Sequence, residues 1–295
     1  MHATFRQLRL FLALAEHGSI SAAANACHVT QPTASMQLKE LADSIGSPLY
    51  EVIGKKVFLT HAGKALAQTA RNIANEWASY EQLISAQHGL TQGKLKIAIV
   101  STAKYFVPKL LGEFFNQYPD IDLSLEIHNR ARVIERLREN LDDLYVMTTP
   151  PSDIDVVQEE FLNNPLEIIA SARHPLAGQA HIPLSELVNE RFILREKGSG
   201  TRMYCNAYFE THQFFPEVRL ELGSNEAIKQ AVSAGLGLSV ISHHALGEHY
   251  VDESLAVLDV VDFPIASKWY VVHLKGKRLS PIAEVFREYL LSKRH

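Results

Sequence analysis

Arg195, Lys197 and Arg202 bracket the turn Gly198-Ser199-Gly200-Thr201 within eight consecutive residues. Glycines let backbone N–H groups approach an anion, and a helix N-terminus favours negative charge. Arginine can hold a phosphate through two parallel hydrogen bonds. Residues 192–194 read as a strand feeding this turn, with a helix opening at about Thr201. Ser224-Asn225-Glu226 opens another helix with more donors. Ser101, Thr102 and Lys104 follow a strand at residues 94–100, and Thr148-Thr149 follow a strand at 144–148. Ligands of parallel sheets sit outside the carboxyl ends of the strands, where these residues fall. The combination is a candidate site for a small phosphorylated or carboxylated molecule. A Gly-Ser-Gly alone is more often a loop with solvated charges; the flanking cations and the second helix start favour binding.

A second constellation lies near the N-terminus. Leu8, Phe11, Leu12 and Ala15 fall at helical spacing, and Gly18 stops that helix. Ser21 is the expected cap of a short helix starting at Ala22. Thr30 is the expected cap of a third helix carrying Pro32 in its first turn, where a missing N–H costs little. That helix runs to about Ser44 with Ala34, Leu38 and Leu41 inward. Two short helices joined by a tight turn read as a helix-turn-helix. Gln31, Thr33, Ser35, Gln37 and Lys39 are its expected outward hydrogen-bonders, able to address base edges and phosphates. Residues 49–59 read as a hairpin with Gly54-Lys55 at its tip, a wing whose Lys55 and Lys56 lie near a nucleic-acid backbone.

The elements that must position these groups form three zones. Residues 1–60 are short helices plus the hairpin. Residues 61–88 form one long linker helix, with Thr60 as start and Gly89 as stop. In it Leu66, Ile73 and Tyr80 recur every seven residues, as do Ala70, Trp77 and Ile84, the seam of a helix pairing with a second copy. Residues 89–295 alternate strands and helices as a two-lobed α/β domain, with lobe I at about 89–164 and 268–295 and lobe II at about 165–267.

Composition agrees. The 295 residues are 46% hydrophobic and 21% charged, which excludes a disordered chain, and no apolar run is long enough to span a membrane. Residues 1–10 do not read as a signal peptide. Two cysteines, Cys27 and Cys205, fit a reduced, cytoplasmic setting. The net charge of −4 hides a split: residues 1–65 carry six basic residues against four acidic, and the remainder 23 against 29. A small basic module on an acidic body suits DNA binding.

Other chemistries find little support. His243, His244 and His249 read as a surface loop, since no cysteine or carboxylate pattern completes a metal site. Residues 89–94 miss the P-loop spacing by one and lack its Ser/Thr, and no Gly-x-Ser-x-Gly elbow occurs. Asp142-Asp143 is expected to be a solvent-facing helix end. Arg202 three residues before Cys205 makes a lowered thiol pKa conceivable, so a thiol redox sensor is one alternative. A two-lobed binding protein or enzyme is another, because fold does not fix function.

The chain resembles the LysR-type transcriptional regulators. The pattern is carried by Phe11, Ala15, Gly18-Ser19, Ala22-Ala23, Val29-Thr30-Gln31-Pro32, Ser35, Leu38, Leu41, Gly46, Leu49, Leu59-Thr60 and Ala62-Gly63, and later by Gly93-Lys94-Leu95, Pro108, Tyr118-Pro119 and Ala234-Gly235-Leu236-Gly237. Val52 departs from it, standing where the family usually carries an arginine. The runs at residues 101–106, 142–147, 192–202 and 223–227 are similar to the CbbR/CmpR branch, which controls RuBisCO operons and inorganic-carbon uptake. The resemblance implies a winged helix-turn-helix, a linker helix and a two-lobed effector domain like a periplasmic binding protein. It also implies a homodimer or tetramer, an operator of double-stranded DNA, and RNA polymerase as a partner. DNA contacts would then come from Ser19, Ser21, Thr30, Gln31, Pro32, Thr33, Ser35, Gln37, Lys39, Lys55 and Lys56. The implied effector is a phosphorylated metabolite such as ribulose bisphosphate or phosphoglycolate, or NADPH, with no cofactor, metal or catalytic residue. Regulation of another metabolic operon is the nearer alternative.

Overall fold

The structure is a computed structural model, and it describes residues 3–54, 56–86, 93–247 and 254–294. Two compact units emerge, one from Met1–Ile84 with Glu139–Leu141, the other from Ser85–Arg138 and Asp142–His295.

The first unit opens with three helices, α1 (Phe5–His17), α2 (Ile20–Ala26) and α3 (Gln31–Ile45). Gly18 and Gly46 terminate α1 and α3 at φ of 63° and 74°, a left-handed backbone that costs glycine nothing. The cap of α2 is Ser19, whose Oγ accepts from the Ala22 N–H, so the expected cap Ser21 instead lies exposed within the helix. The start sits two residues earlier because Ser19 is the extended residue after the Gly18 reversal. Thr30 caps α3, accepting from the Thr33 N–H. Leu10, Phe11, Leu14, Ala23, Ala34, Leu38 and Leu41 form the core between the helices.

Strands β1 (Tyr50–Ile53) and β2 (Lys56–Leu59) form an antiparallel hairpin turning at Gly54, φ 65°. Lys55 lies outside the described residues. Thr60 then starts α4 (His61–Ala86): its Oγ1 donates to Pro48 O at 2.7 Å and accepts from Gly63 N at 3.0 Å. Gly63 is required there, since a Cβ would lie 1.8 Å from Leu49 O. The heptad seam of α4 divides in two. Ala70 is buried and Leu66 packs on the unit's own core, so these two do not face a partner. Ile73, Trp77, Tyr80 and Ile84 are exposed. The expected stop at Gly89 lies outside the described residues.

The described residues of the second unit form two sheet layers, one a five-stranded sheet and one a three-stranded and a two-stranded sheet joined by a bridge. The first has strand order β4-β3-β5-β12-β6, from β3 (Gly93–Val100), β4 (Ile121–His128), β5 (Leu144–Met147), β6 (Val156–Asn163) and β12 (Lys268–Leu274). β3 runs parallel to β4 and β5, as a βαβαβ path through α5 (Val107–Phe115) and α6 (Arg130–Arg138) requires, while β12 is antiparallel to both its neighbours. β5 is buried at all four positions, the pattern of a strand covered on both faces. Helix α9 (Pro281–Leu291) packs Phe286 against Phe114 of α5.

The second layer takes β7 (Leu166–Ser171), β8 (Arg191–Arg195), β9 (Glu217–Leu222), β10 (Ser239–Ser242) and β11 (Leu255–Val257). β10 and β11 flank β7 antiparallel, and β8 pairs with β9 in parallel. A Phe192–Leu238 bridge joins the two groups. Gly237 permits it, since a Cβ there would sit 2.3 Å from Arg191 O. Helices α7 (Gly200–Thr211) and α8 (Asn225–Ser233) follow β8 and β9.

The chain crosses between the sheets twice, and the crossings are cross-tied. Asn164 N donates to Ser267 O, Asn164 Nδ2 to Ser267 Oγ, Ser267 Oγ to Asn164 O, and Ser242 Oγ to Asn164 Oδ1, at 2.6 to 2.8 Å. All three residues are buried. Of the three histidines read as a surface loop, His243 is exposed with Nδ1 2.8 Å from Glu167 Oε1, His244 Nε2 is 2.9 Å from Asn163 O, and His249 lies outside the described residues.

Asp142-Asp143 is a correction. Asp142 is 1% exposed and takes both oxygens to the Arg136 guanidinium, at 2.9 and 2.7 Å. Asp143 accepts from Lys96 N and faces Lys277 Nζ at 3.7 Å. The adjacent carboxylates take separate partners, and each meets a cation in the interior rather than water.

Candidate functional site

Five chain segments converge in the second unit: the turn of residues Ser101–Tyr105 after β3, Thr148-Thr149 after β5, the end of β8, and the starts of α7 and α8. At the centre is Arg195, 3% exposed. Its Nη1 donates to Thr102 Oγ1 at 3.1 Å and to Asn225 Oδ1 at 3.0 Å, and its Nη2 to Ser101 Oγ at 3.3 Å. The rest of the fork binds Glu196 through both oxygens at 2.8 and 2.9 Å. A buried guanidinium needs such a partner, because an unpaired buried charge is costly. Asn225 closes the ring by donating to Thr102 Oγ1 at 3.3 Å.

The α7 start lies against Thr148 and Thr149. Ser199 caps α7, accepting from Arg202 N at 3.1 Å. Gly198 precedes it at φ 88°, a conformation suited to glycine. A Cβ on Gly200 would lie 2.1 Å from Thr148 Oγ1 and 3.1 Å from Thr149 Oγ1. The N–H groups of Gly200 and Thr201 belong to the first turn, where the helical ladder supplies no acceptor. Arg202 of α7 is tied to the neighbouring strands and to its own helix: Nη1 donates to Arg195 O at 2.8 Å and reaches Glu221 at 3.3 Å, and Nε donates to Asn206 at 2.8 Å.

Ser224 caps α8, and Glu226 turns toward Lys104 and Tyr105. Lys104 Nζ is 3.0 Å from Glu226 Oε1, and the Tyr105 hydroxyl donates to the same oxygen. Burial alone would raise the Glu226 pKa, but bonds from Tyr105, Lys104 and Ser224 outweigh it and hold the carboxyl at about 2. Tyr105 moves up in return, through burial first and the hydrogen bond to Glu226 second.

The structure thus brings together Ser101, Thr102, Arg195, Ser224, Asn225, Glu226 and Lys104 in one set of contacts, and Thr148, Thr149, Ser199, Gly200 and Thr201 in a neighbouring one. Sequence reasoning missed Glu196, Tyr105 and Tyr204, whose hydroxyl reaches Thr148 O at 3.3 Å. Glu196 adjoins Arg195 and was legible as its counter-charge. The Tyr105–Glu226 pairing joins residues 121 positions apart, and nothing local signals it. Cys205 is a correction: burial pushes its thiol up to about 12, outweighing the opposing pull of Arg202. A buried thiol of that pKa holds almost no thiolate near neutrality, which removes the ground for redox sensing there.

In the first unit the outward face of α3 differs from expectation. Residues 31, 33, 35 and 37 alternate by two, which distributes them around a helix rather than along one face. Gln31, Pro32 and Lys39 are exposed, while Thr33 and Ser35 are half-buried. Gln37 is also half-buried, with Oε1 fully covered and lacking a hydrogen-bond partner, and it lines a cavity of about 410 Å³ with Arg6, Arg9, Cys27 and His28. Gln37 therefore does not belong to the outward set.

A winged helix-turn-helix followed by a long helix and a two-sheet ligand domain defines an effector-responsive DNA-binding regulator. Residues 5–64 match the model of the bacterial regulatory helix-turn-helix protein, lysR family, and residues 88–294 match the LysR substrate binding domain. The chain belongs to the LysR family of transcriptional regulators, and it is not an enzyme. It is 46% identical to the HTH-type transcriptional activator CmpR of Synechocystis over 99% of this chain and 96% of that one. It is 44% identical to the RuBisCO operon transcriptional regulator of Acidithiobacillus ferrooxidans, over 99% and 94%. The solved regulatory domain of Synechocystis CcmR in complex with 2-phosphoglycolate is 48% identical, with a TM-score of 0.66 over 69% of this chain and 98% of that one. Among the described residues no helix is long and apolar enough to cross a membrane.

Proposed function

We propose that this chain is a cytoplasmic regulator of carbon-fixation genes, and that its effector is a small phosphorylated acid of the phosphoglycolate type bound where the five segments meet. The observation that carries this is the convergence of hydroxyls from Ser101, Thr102, Thr148 and Thr149 with the open start of α7 and the Arg195–Asn225 pair. The relatives' names, and the 2-phosphoglycolate bound by CcmR, support the gene class and the ligand class.

Charge accounting narrows the chemistry. Arg195, Lys104 and Arg202 each already hold a carboxylate: Glu196, Glu226 and Glu221. An arriving phosphate meets neutral donors first, namely the hydroxyls and the Gly200 and Thr201 N–H groups, with the helix dipole behind them. The cations then gain a second anion, or release the first. Either change alters the ties linking the Ser101–Tyr105 turn to α8, giving the ligand different affinities for two arrangements.

The DNA-facing set is Ser19, Thr30, Gln31, Pro32, Thr33, Ser35 and Lys39 with the wing lysines Lys55 and Lys56. The exposed Ile73, Trp77, Tyr80 and Ile84 of α4 pair with a second copy, bringing two reading heads to one operator and, with it, to RNA polymerase.

The test titrates 2-phosphoglycolate, ribulose bisphosphate and NADPH into the full chain by calorimetry, beside Thr102→Val. The expected result is saturable binding of at least one phosphorylated compound, weakened ten-fold or more in the variant, with DNA affinity in the absence of effector unchanged. Equal binding by both proteins would displace the effector from this site. No binding of any of the three compounds would overturn the ligand class.

A further inference from the structure

Helix α3 turns toward solvent a face that the polar reading did not use. Its core residues Ala34, Leu38 and Leu41 are fully buried. At 100° per residue, the direction opposite them carries Pro32, Met36, Lys39 and Asp43. Met36 is the large, flexible apolar member of that set, 55% exposed. It sits one and a half turns into the helix, in the stretch a recognition helix presents to base edges.

The neighbouring polar groups are already engaged. The Thr33 hydroxyl lies 2.8 Å from that of Thr30, Gln31 Nε2 donates to Ser35 Oγ at 3.4 Å, and Gln37 turns inward. A lone exposed methionine is ordinary on a protein surface. A methionine central on the outward face of a DNA-reading helix, between an exposed proline and a lysine, is not solvated idly.

We infer that Met36 reads a thymine methyl group in the major groove. This rests on the reading of α3 as the recognition helix. The thymine C5-methyl is the apolar feature of the major-groove edges, and it takes apolar partners. Methionine is unbranched and polarisable, so it follows the methyl without demanding one rotamer. Lys39, one turn further along the same face, reaches the phosphate backbone and fixes the depth of insertion.

The test begins with duplex sites selected by the full chain from a randomised pool. Each thymine of a selected site is then replaced by deoxyuridine, which lacks only the methyl. Affinities are measured for the native chain, Met36→Ala and Met36→Leu. The native chain should lose about four-fold at one thymine or more per half-site, the value of one buried methyl. That loss should vanish in Met36→Ala and survive in Met36→Leu, with the salt dependence of all three alike because phosphate contacts are untouched. Deoxyuridine losses identical in the native chain and Met36→Ala would overturn the inference while leaving α3 as the reader. A pool from which nothing is enriched would overturn the recognition-helix reading, and Met36 with it.

Discussion

Replacing Arg195 with methionine should destabilise the ligand domain while leaving its apolar core intact. Methionine keeps much of the volume and removes the five hydrogen bonds to Glu196, Thr102, Asn225 and Ser101. Breaking a buried ion pair from one side costs about 3–5 kcal/mol, mostly because the abandoned charge stays behind. Glu196 keeps 25% of its side chain in water, so the lower end applies. A loss of about 3 kcal/mol lowers the melting temperature of a unit this size by roughly 6–12 °C. Scanning calorimetry of the full chain reads the shift, and the double variant Arg195→Met/Glu196→Gln separates cause from bulk. If the abandoned carboxylate is the penalty, the double variant should regain about 1–2 kcal/mol of it. A single variant within about 1 °C of the native chain, or a double variant no better than the single, would refute Arg195 as the charged centre of the site.

Three further outcomes follow from the geometry. Gly63→Ala drives a methyl into the Leu49 carbonyl, backbone against backbone, and should cost about 3 kcal/mol in the first unit, read from its urea midpoint. Glu226 has a depressed pKa, so its contribution to stability is fully present above its ordinary value of 4.5 and is lost as pH falls toward about 2. With nearly half its side chain exposed, that contribution is held to about 1 kcal/mol or less, and the gap between native and Glu226→Gln should close across that window in pH-dependent unfolding. Iodoacetamide at pH 8 should label half-exposed Cys27 while Cys205 stays unmodified in the folded chain, as peptide mass spectrometry would show; rapid labelling of Cys205 would reopen the redox reading.

Much of this was legible before any coordinates. Thr30 with Pro32, and Gly18 as a helix stop, rest on local backbone chemistry, and the structure places all of them as read. The strands around the ligand site were legible because short apolar runs end in residues that turn or cap. The failures share a different cause. Ser19 and Ser21 are both cap-competent by type, and only the left-handed backbone at Gly18 decides which serine is extended. Asp142 looked solvent-facing because its partner Arg136 is a separate choice of rotamer and packing. The outward face of α3 was read by chemical type, so Gln37 entered and Met36 was passed over, although helical phase alone separates them. The Tyr105–Glu226 pair needed the fold itself, since it joins distant parts of the chain.

The tie between the two crossings has a mechanical consequence. Two strands passing side by side between rigid sheets would ordinarily allow both shear and rotation. With Asn164, Ser267 and Ser242 locked in one dry hydrogen-bonded knot, sliding one crossing past the other means breaking several short bonds at once, whereas bending both together leaves them intact. Bending is the motion that the tie leaves cheap and sliding the one it resists. A ligand that drew the two sheets together would therefore do its work as rotation and lose little of it to slip.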